Sequence, residues 1–143
     1  MHLTRFSDYS LRLLLYAASM DDRLITIEEV AHAYGISRAH LMKVANLLVR
    51  TGYLVSVRGR SGGLRLSRPA ADINLGAILR ATEPDFALVE CMSSKNGCAI
   101  TAKCRLKCVL HSALAAFLAE LDAHTLADLE LDPRDFGLVL PPD

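Results

Sequence analysis

The chain reads as a mostly α protein: a winged helix-turn-helix followed by a cluster-binding cysteine loop and a long dimerisation helix. Three observations carry that reading. A helix, a glycine turn and a helix with a basic outer face precede a glycine-rich hairpin bearing two arginines. All the cysteines, Cys91, Cys98, Cys104 and Cys108, fall in one short stretch. From Arg105 to about Asp122 apolar residues recur at i, i+3 and i+4, the period of a helix with one buried face. The expected divisions are residues 1–84 for the winged helix-turn-helix, 85–104 for the cysteine loop, and 105–143 for the dimerisation helix and tail.

The first helix is expected from Ser7 to Met20, with Leu11, Leu14, Leu15 and Ala18 at helical spacing and Leu13 and Tyr16 on other faces. Apolar residues on several sides predict a helix buried between its own domain and a second subunit. Thr26-Ile27-Glu28-Glu29 has the spacing of a capping box, and Ile27, Val30, Ala31 and Tyr34 form the stripe of the helix that follows. Gly35-Ile36 supplies a turn, glycine allowing a left-handed backbone. Ser37 caps a third helix that runs to about Thr51 and is stopped by Gly52. Its inner face is Leu41, Val44, Ala45 and Leu48; its outer face is Arg38, Lys43, Asn46 and Arg50. Leu54–Val57 and Leu64–Leu66 read as short strands joined by Arg58-Gly59-Arg60-Ser61-Gly62-Gly63. Asn74 caps a short helix through about Thr82, closed by Pro84. The long helix aligns Leu106, Val109, Leu110, Ala113, Leu114, Phe117, Leu118 and Leu121, and Thr125 caps a brief last helix.

Composition narrows the function classes. At 143 residues, 52% hydrophobic, the chain has enough apolar material for one core, which excludes global disorder. No apolar run approaches the ~20 residues that span a bilayer. Met1-His2-Leu3-Thr4-Arg5 lacks the regions of a signal peptide. A cytoplasmic location is therefore expected, where clustered cysteines are more often metal ligands or redox sensors than structural disulfides. The net charge is zero but segregated: ten Lys and Arg stand against five Asp and Glu through Arg68, and six against eleven beyond it. Only the front half suits phosphate. No nucleophile–base pair, phosphate-cradling loop or cofactor fingerprint points to an enzyme.

In a helix-turn-helix the second helix enters the major groove and its N-terminal residues touch base edges. Those residues are Ser37, Arg38, Ala39 and His40, with Lys43 nearby. Arginine pairs bidentately with guanine, and a small alanine fits a thymine methyl. Arg58 and Arg60, with Ser61 on the same glycine-rich tip, suit a narrow minor groove where negative potential concentrates. The expected partner is a double-stranded operator.

Cys91-x6-Cys98-x5-Cys104 is spaced more widely than a typical structural zinc site, which favours pairs two to four residues apart. An iron–sulfur core distributes its irons and tolerates a looser loop of thiolates. Lys95, Lys103, Arg105 and Lys107 surround the loop with positive charge, and Cys104 opens the long helix. Cys108, one turn later, reads as either a ligand or a packing residue. A regulatory disulfide and a zinc-stapled interaction module are the alternatives.

Several segments together resemble a known family. They are Leu3-Thr4 with Asp8-Tyr9, Tyr34-Gly35-Ile36-Ser37, Val57 through Leu66 in the wing, Glu83-Pro84, Leu88-Val89-Glu90-Cys91, Cys98-x-Ile100-Thr101-x2-Cys104-Arg105-Leu106, and Thr125 through Leu129. The family is that of the small dimeric bacterial winged-helix repressors that carry iron–sulfur clusters, among them IscR, RirA and NsrR. The Glu-Pro, Leu-Val-Glu-Cys and Cys-Arg-Leu elements look most like the nitric-oxide-sensitive NsrR type. The resemblance implies a homodimer that represses transcription and leaves its operator when nitric oxide attacks the cluster. It implies a cluster held by Cys91, Cys98 and Cys104, with an oxygen ligand from Asp8 of the partner subunit in 4Fe–4S members; 2Fe–2S is the other nuclearity considered. Cys108 departs from the family pattern and is an alternative fourth ligand, while Lys107 stands where an IscR-like ligand set has histidine. The rival readings within regulation are sensing of iron or cluster status, as in RirA, and thiol oxidation without a cluster.

Overall fold

A computed structural model of the chain describes residues 2–20 and 23–137; the end of the expected tail, to Asp143, lies outside them. The first helix, α1 (Arg5–Ala18), occupies the centre of the fold and packs against elements from both halves of the chain. It starts two residues earlier than its apolar pattern indicates, because Thr4 and not a later residue caps it. The Thr4 hydroxyl accepts from the Ser7 amide at 3.2 Å. The Thr4 amide and hydroxyl both donate to the Glu83 carboxylate, at 2.7 and 3.2 Å.

The buried face of α1 also departs from expectation. Leu13, Leu14, Tyr16 and Ala17 are buried, whereas Leu11, Leu15 and Ala18 are only half-buried. Ser7 and Ser10 extend that face backward with no exposed surface, the Ser10 hydroxyl donating to the Phe6 carbonyl at 2.8 Å. Two serines at buried positions hide the stripe from any pattern built on apolar residues alone.

The helix-turn-helix follows. Thr26 caps α2 (Ile27–Tyr34) by accepting from the Glu29 amide, but the capping box is only half formed, because the Glu29 carboxylate turns to Arg23 at 2.9 Å. Gly35 closes the helix at φ 63°, a left-handed backbone that glycine adopts without a Cβ clash. Ser37 caps α3 (Arg38–Arg50), and all four expected inner residues, Leu41, Val44, Ala45 and Leu48, are buried. Strands β1 (Leu54–Val57) and β2 (Gly63–Leu66) form an antiparallel hairpin with Leu54 opposite Leu66 and Val57 opposite Gly63. Ile25 pairs with Leu64 through two backbone hydrogen bonds of 2.8 Å, so the wing is fastened to the segment entering α2.

Asn74 caps α4 (Leu75–Thr82) by accepting from the Ala77 amide, and its side-chain amide donates to the Asp122 carbonyl at 2.7 Å. Asp122 ends α5 (Arg105–Asp122) and takes a two-pronged ion pair from Arg80 at 2.6 and 2.8 Å. That guanidinium holds the Asp122 carboxyl below the usual carboxylate range. A Cβ on Gly76 would lie 1.9 Å from an Asp122 carboxylate oxygen, so a larger residue there would displace this ion pair.

Along α5 no residue is buried. Leu110, Leu114, Phe117, Leu118 and Leu121 are half-buried, while Leu106 and Val109 remain 61% and 62% exposed. The segment after α5 returns to the core of the front half. Leu126 is buried in a 3-10 turn (Leu126–Leu129), and this turn, where a short helix was expected, carries a full capping box between Thr125 and Asp128. Phe136 then packs edge-on against Tyr16 and Tyr34, with ring centroids 4.9 and 5.9 Å away. Among the described residues no helix is long and apolar enough to cross a membrane.

The Thr4–Glu83 clasp has a measurable weight. A hydrogen bond to a charged acceptor contributes about 1.5–3 kcal/mol. Glu83→Ala is expected to lower unfolding free energy by about 2 kcal/mol in urea titration and Glu83→Gln by about 1. Wild-type midpoints in both variants would show the clasp to be idle.

Candidate nucleic-acid interface and cysteine loop

The residues expected to meet DNA lie at the start of α3 and on the wing. Ser37, Arg38, Ala39, His40 and Lys43 are all exposed, as are Arg58, Arg60 and Ser61. Their surroundings differ. The Ser37 hydroxyl accepts from the His40 amide at 3.3 Å, so it serves first as a cap and keeps its proton and one lone pair for another partner. Arg38 reaches back to Glu28 on α2 at 2.8 Å, with both side chains about two-thirds exposed. An exposed pair of this kind is worth at most ~1 kcal/mol, so it holds Arg38 only weakly. His40 lies against Tyr9 of α1, their ring centroids 6.2 Å apart.

Between α3 and the wing runs an open concave surface of about 1300 Å³, lined in part by Lys43, Asn46, Arg50, Ser56 and Arg58. The wing tip depends on two glycines. Gly59 has φ 120°, and a Cβ on Gly62 would fall 2.3 Å from the Val57 carbonyl oxygen. The tip is therefore a tight backbone loop that holds two arginines outward. Arg65 on β2 is exposed beside it, a cation the sequence reading did not single out.

Cys91 sits in a 3-10 turn (Glu90–Met92), Cys98 in the loop, Cys104 at the N-cap of α5, and Cys108 one turn further on. All four thiols are free, Cys98 and Cys108 exposed and the other two half-buried. The loop between them is closed by the side chains of Glu90, Asn96 and Thr101. The Glu90 carboxylate accepts from the Gly97 amide at 2.8 Å. The Asn96 side chain accepts from the Cys98 amide at 3.0 Å and donates to the Thr101 hydroxyl at 3.0 Å. Thr101 in turn donates to the Cys98 carbonyl at 2.8 Å. Glu90, Asn96 and Thr101 thus shape the backbone that carries Cys91, Cys98 and Cys104.

The donor set suits an iron–sulfur cluster in chemistry, being thiolates on a loop. The single chain does not bring them to a point: among the described residues no three His, Cys, Asp or Glu side chains are grouped as metal ligands. Asp8 faces Arg12 at 2.9 Å on the same helix and is 40% exposed. Arg12 also lies 5.7 Å above the Tyr34 ring, and the Tyr34 hydroxyl donates to the Arg12 carbonyl. Burial pushes the Tyr34 phenol up to about 12 despite Arg12 nearby.

A family model described as Rrf2, iron-dependent transcriptional regulator, matches residues 3–131. The chain belongs to the Rrf2 family. Rrf2 proteins are transcriptional regulators that bind DNA, not enzymes, and are generally dimeric. Solved Rrf2-like structures share the architecture. IscR of T. potens superposes with a TM-score of 0.72 at 23% identity, covering 90% of this chain and 85% of its own. The oxidised form of CymR from Staphylococcus aureus gives 0.71 at 24%, covering 90% and 95%. CymR of B. subtilis, a global cysteine regulator, gives 0.70 at 23% over the same shares. At such identities the likeness is one of fold, and it extends over the winged helix-turn-helix and most of the remaining chain.

The Glu90 contact yields a test that needs no metal. Glu90→Ala is expected to open the loop, so that trypsin cleaves after Lys95 several-fold faster while the melting temperature stays unchanged. Equal cleavage rates would show that Glu90 does not hold the loop.

Proposed function

We propose that this Rrf2 regulator is a homodimeric repressor that reads a partly palindromic operator through α3 and the wing and responds to nitric oxide through an iron–sulfur cluster. The observation that carries the reading is the pairing of an exposed basic head with the free thiols of Cys91, Cys98 and Cys104 on a loop pre-shaped by Glu90, Asn96 and Thr101. Cys91, Cys98 and Cys104 would hold the cluster, with Asp8 of the partner subunit as the oxygen ligand of a 4Fe–4S form and Cys108 as the alternative. When bound, such a cluster supplies irons open to attack by nitric oxide.

The remaining steps belong to the chain itself. Dimerisation is supported by α5, whose Leu106 and Val109 leave an apolar edge uncovered in the single chain. Asp8 has two possible attachments: Arg12 of its own helix, 2.9 Å away here, and the partner's cysteine loop. A carboxylate drawn to the loop leaves Arg12, and one released from the loop returns to it. Either exchange acts on α1, which packs directly against α3. Emptying a nearly saturated operator takes about 5.5 kcal/mol of differential binding, shared between the two halves of a dimer.

A cluster-free thiol switch is the second reading, favoured by the exposure of Cys98 and Cys108. Iron and acid-labile sulfide measured on protein purified without oxygen separate the two. Near-equal amounts, close to four per chain, with operator release on nitric-oxide titration, support the cluster reading. Metal-free protein that binds the operator until treated with peroxide supports the thiol switch. In the cluster case Asp8→Ala is expected to uncouple operator release from nitric oxide, and an unchanged response would exclude Asp8 from the relay. Arg38→Ala is expected to cost about 1–3 kcal/mol of discrimination at one base pair of each half-site.

A further inference from the structure

The first turn of α1 forms a second basic feature next to α3. Arg5, Phe6 and Tyr9 of α1 and His40, Lys43 and Val44 of α3 line one cleft of about 240 Å³. Its apolar floor is Phe6 and Val44, and its rim carries the two cations, Arg5 and Lys43, both exposed. Among the described residues neither cation has a carboxylate within ion-pairing distance, whereas Arg12, Arg23, Arg38 and Arg80 each have one. The acidic residue of the same turn, Asp8, is engaged by Arg12. The cleft therefore presents unneutralised positive charge at the N-terminal half of the reading helix, continuous with Lys43, Asn46 and Arg50 on its outer face.

The backbone that carries Arg5 is held in place. Its neighbour Thr4 is clasped by Glu83, and the Tyr9 ring rests against His40 at 6.2 Å. A guanidinium on a fixed helix start beside an ammonium matches the two unesterified oxygens of one phosphodiester, which arginine takes bidentately and lysine as a point charge.

We propose that Arg5 and Lys43 seat one DNA backbone phosphate, so that α1 itself forms part of the DNA interface, with Tyr9 against His40 as the positioning contact. The proposal rests on the assignment of α3 as the reading helix. Its consequence is mechanical. Arg5 and Asp8 are three residues apart on one helix, about 4.5 Å along its axis, so a pull on Asp8 moves the phosphate seat with it.

The test is the salt dependence of binding by the full chain, purified without oxygen at matched iron content, to operator and to an unrelated duplex of equal length. Each phosphate neutralised contributes about 0.9 to the slope of log affinity against log salt, hence about 1.8 for a dimer. Between 50 and 200 mM salt the wild type is then expected to lose roughly tenfold more affinity than the double variant Arg5→Ala/Lys43→Ala, and roughly threefold more than Arg5→Ala alone, equally on both duplexes. Arg5→Gln should reproduce the result if alanine disturbs the helix start. Tyr9→Leu should flatten the slope and Tyr9→Phe restore it; a wild-type slope in Tyr9→Leu removes the positioning role. Wild-type slopes in both Arg5 variants, with operator preference still relaxed by Arg38→Ala, would overturn the phosphate seat and leave α3 as the reader. If Arg38→Ala is also without effect, the DNA-reading assignment falls and takes the seat with it.

Discussion

The seating of α1 governs the rest of the structure. Its buried face, from Ser7 to Ala17, meets α3, α4, the wing strand β2 and the turn at Leu126, so elements from both halves of the chain converge on one helix. Its start is clasped across 79 residues by Glu83, and its far end receives the returning tail through Ser19, whose hydroxyl accepts from the Leu131 amide. Moving α1 as a body therefore disturbs the reading head, the α4–α5 junction and the tail together. Packed interiors transmit such shifts because they hold few voids to absorb them.

Around that centre the two functional regions are built on opposite principles. The basic head is a packed frame with cations on long stems: buried Leu41, Val44, Ala45 and Leu48 fix α3, while Lys43, Arg50, Arg58 and Arg60 reach outward. The cysteine loop has no buried residue, and its cysteine-bearing turns are held by the polar contacts of Glu90, Asn96 and Thr101. A segment without buried residues opens at low free-energy cost. The apolar edge of α5 is the counterpart feature. It carries Leu106 and Val109 in the open, on the same helix as Cys108.

Much of this was legible in the residues. The caps at Ser37 and Asn74, the Gly35 turn and the inner face of α3 lie where periodicity and capping chemistry put them. The start of α1 was not, because Thr4 precedes the apolar run and its capping role depends on Glu83, far away in sequence. Placing that start at Ser7 left Arg5 outside the helix and hid its approach to Lys43. The face of α1 was obscured by Ser7 and Ser10, polar by type and buried by position. Glu29 has the capping-box spacing, yet Arg23 outcompetes the backbone for it, a contest no spacing rule decides. The thiols were legible as a group, while their convergence on one centre is a property that neither spacing nor the single chain supplies.

The central claim is that the state of the cysteine loop sets the operator affinity of the reading head through α1. The most direct measurement follows operator affinity in one preparation, purified without oxygen, before and after iron and sulfide are stripped under reducing conditions. An unrelated duplex serves as the reference. The account predicts at least a tenfold loss on the operator with little change on the reference. Equal operator affinity before and after stripping would contradict it.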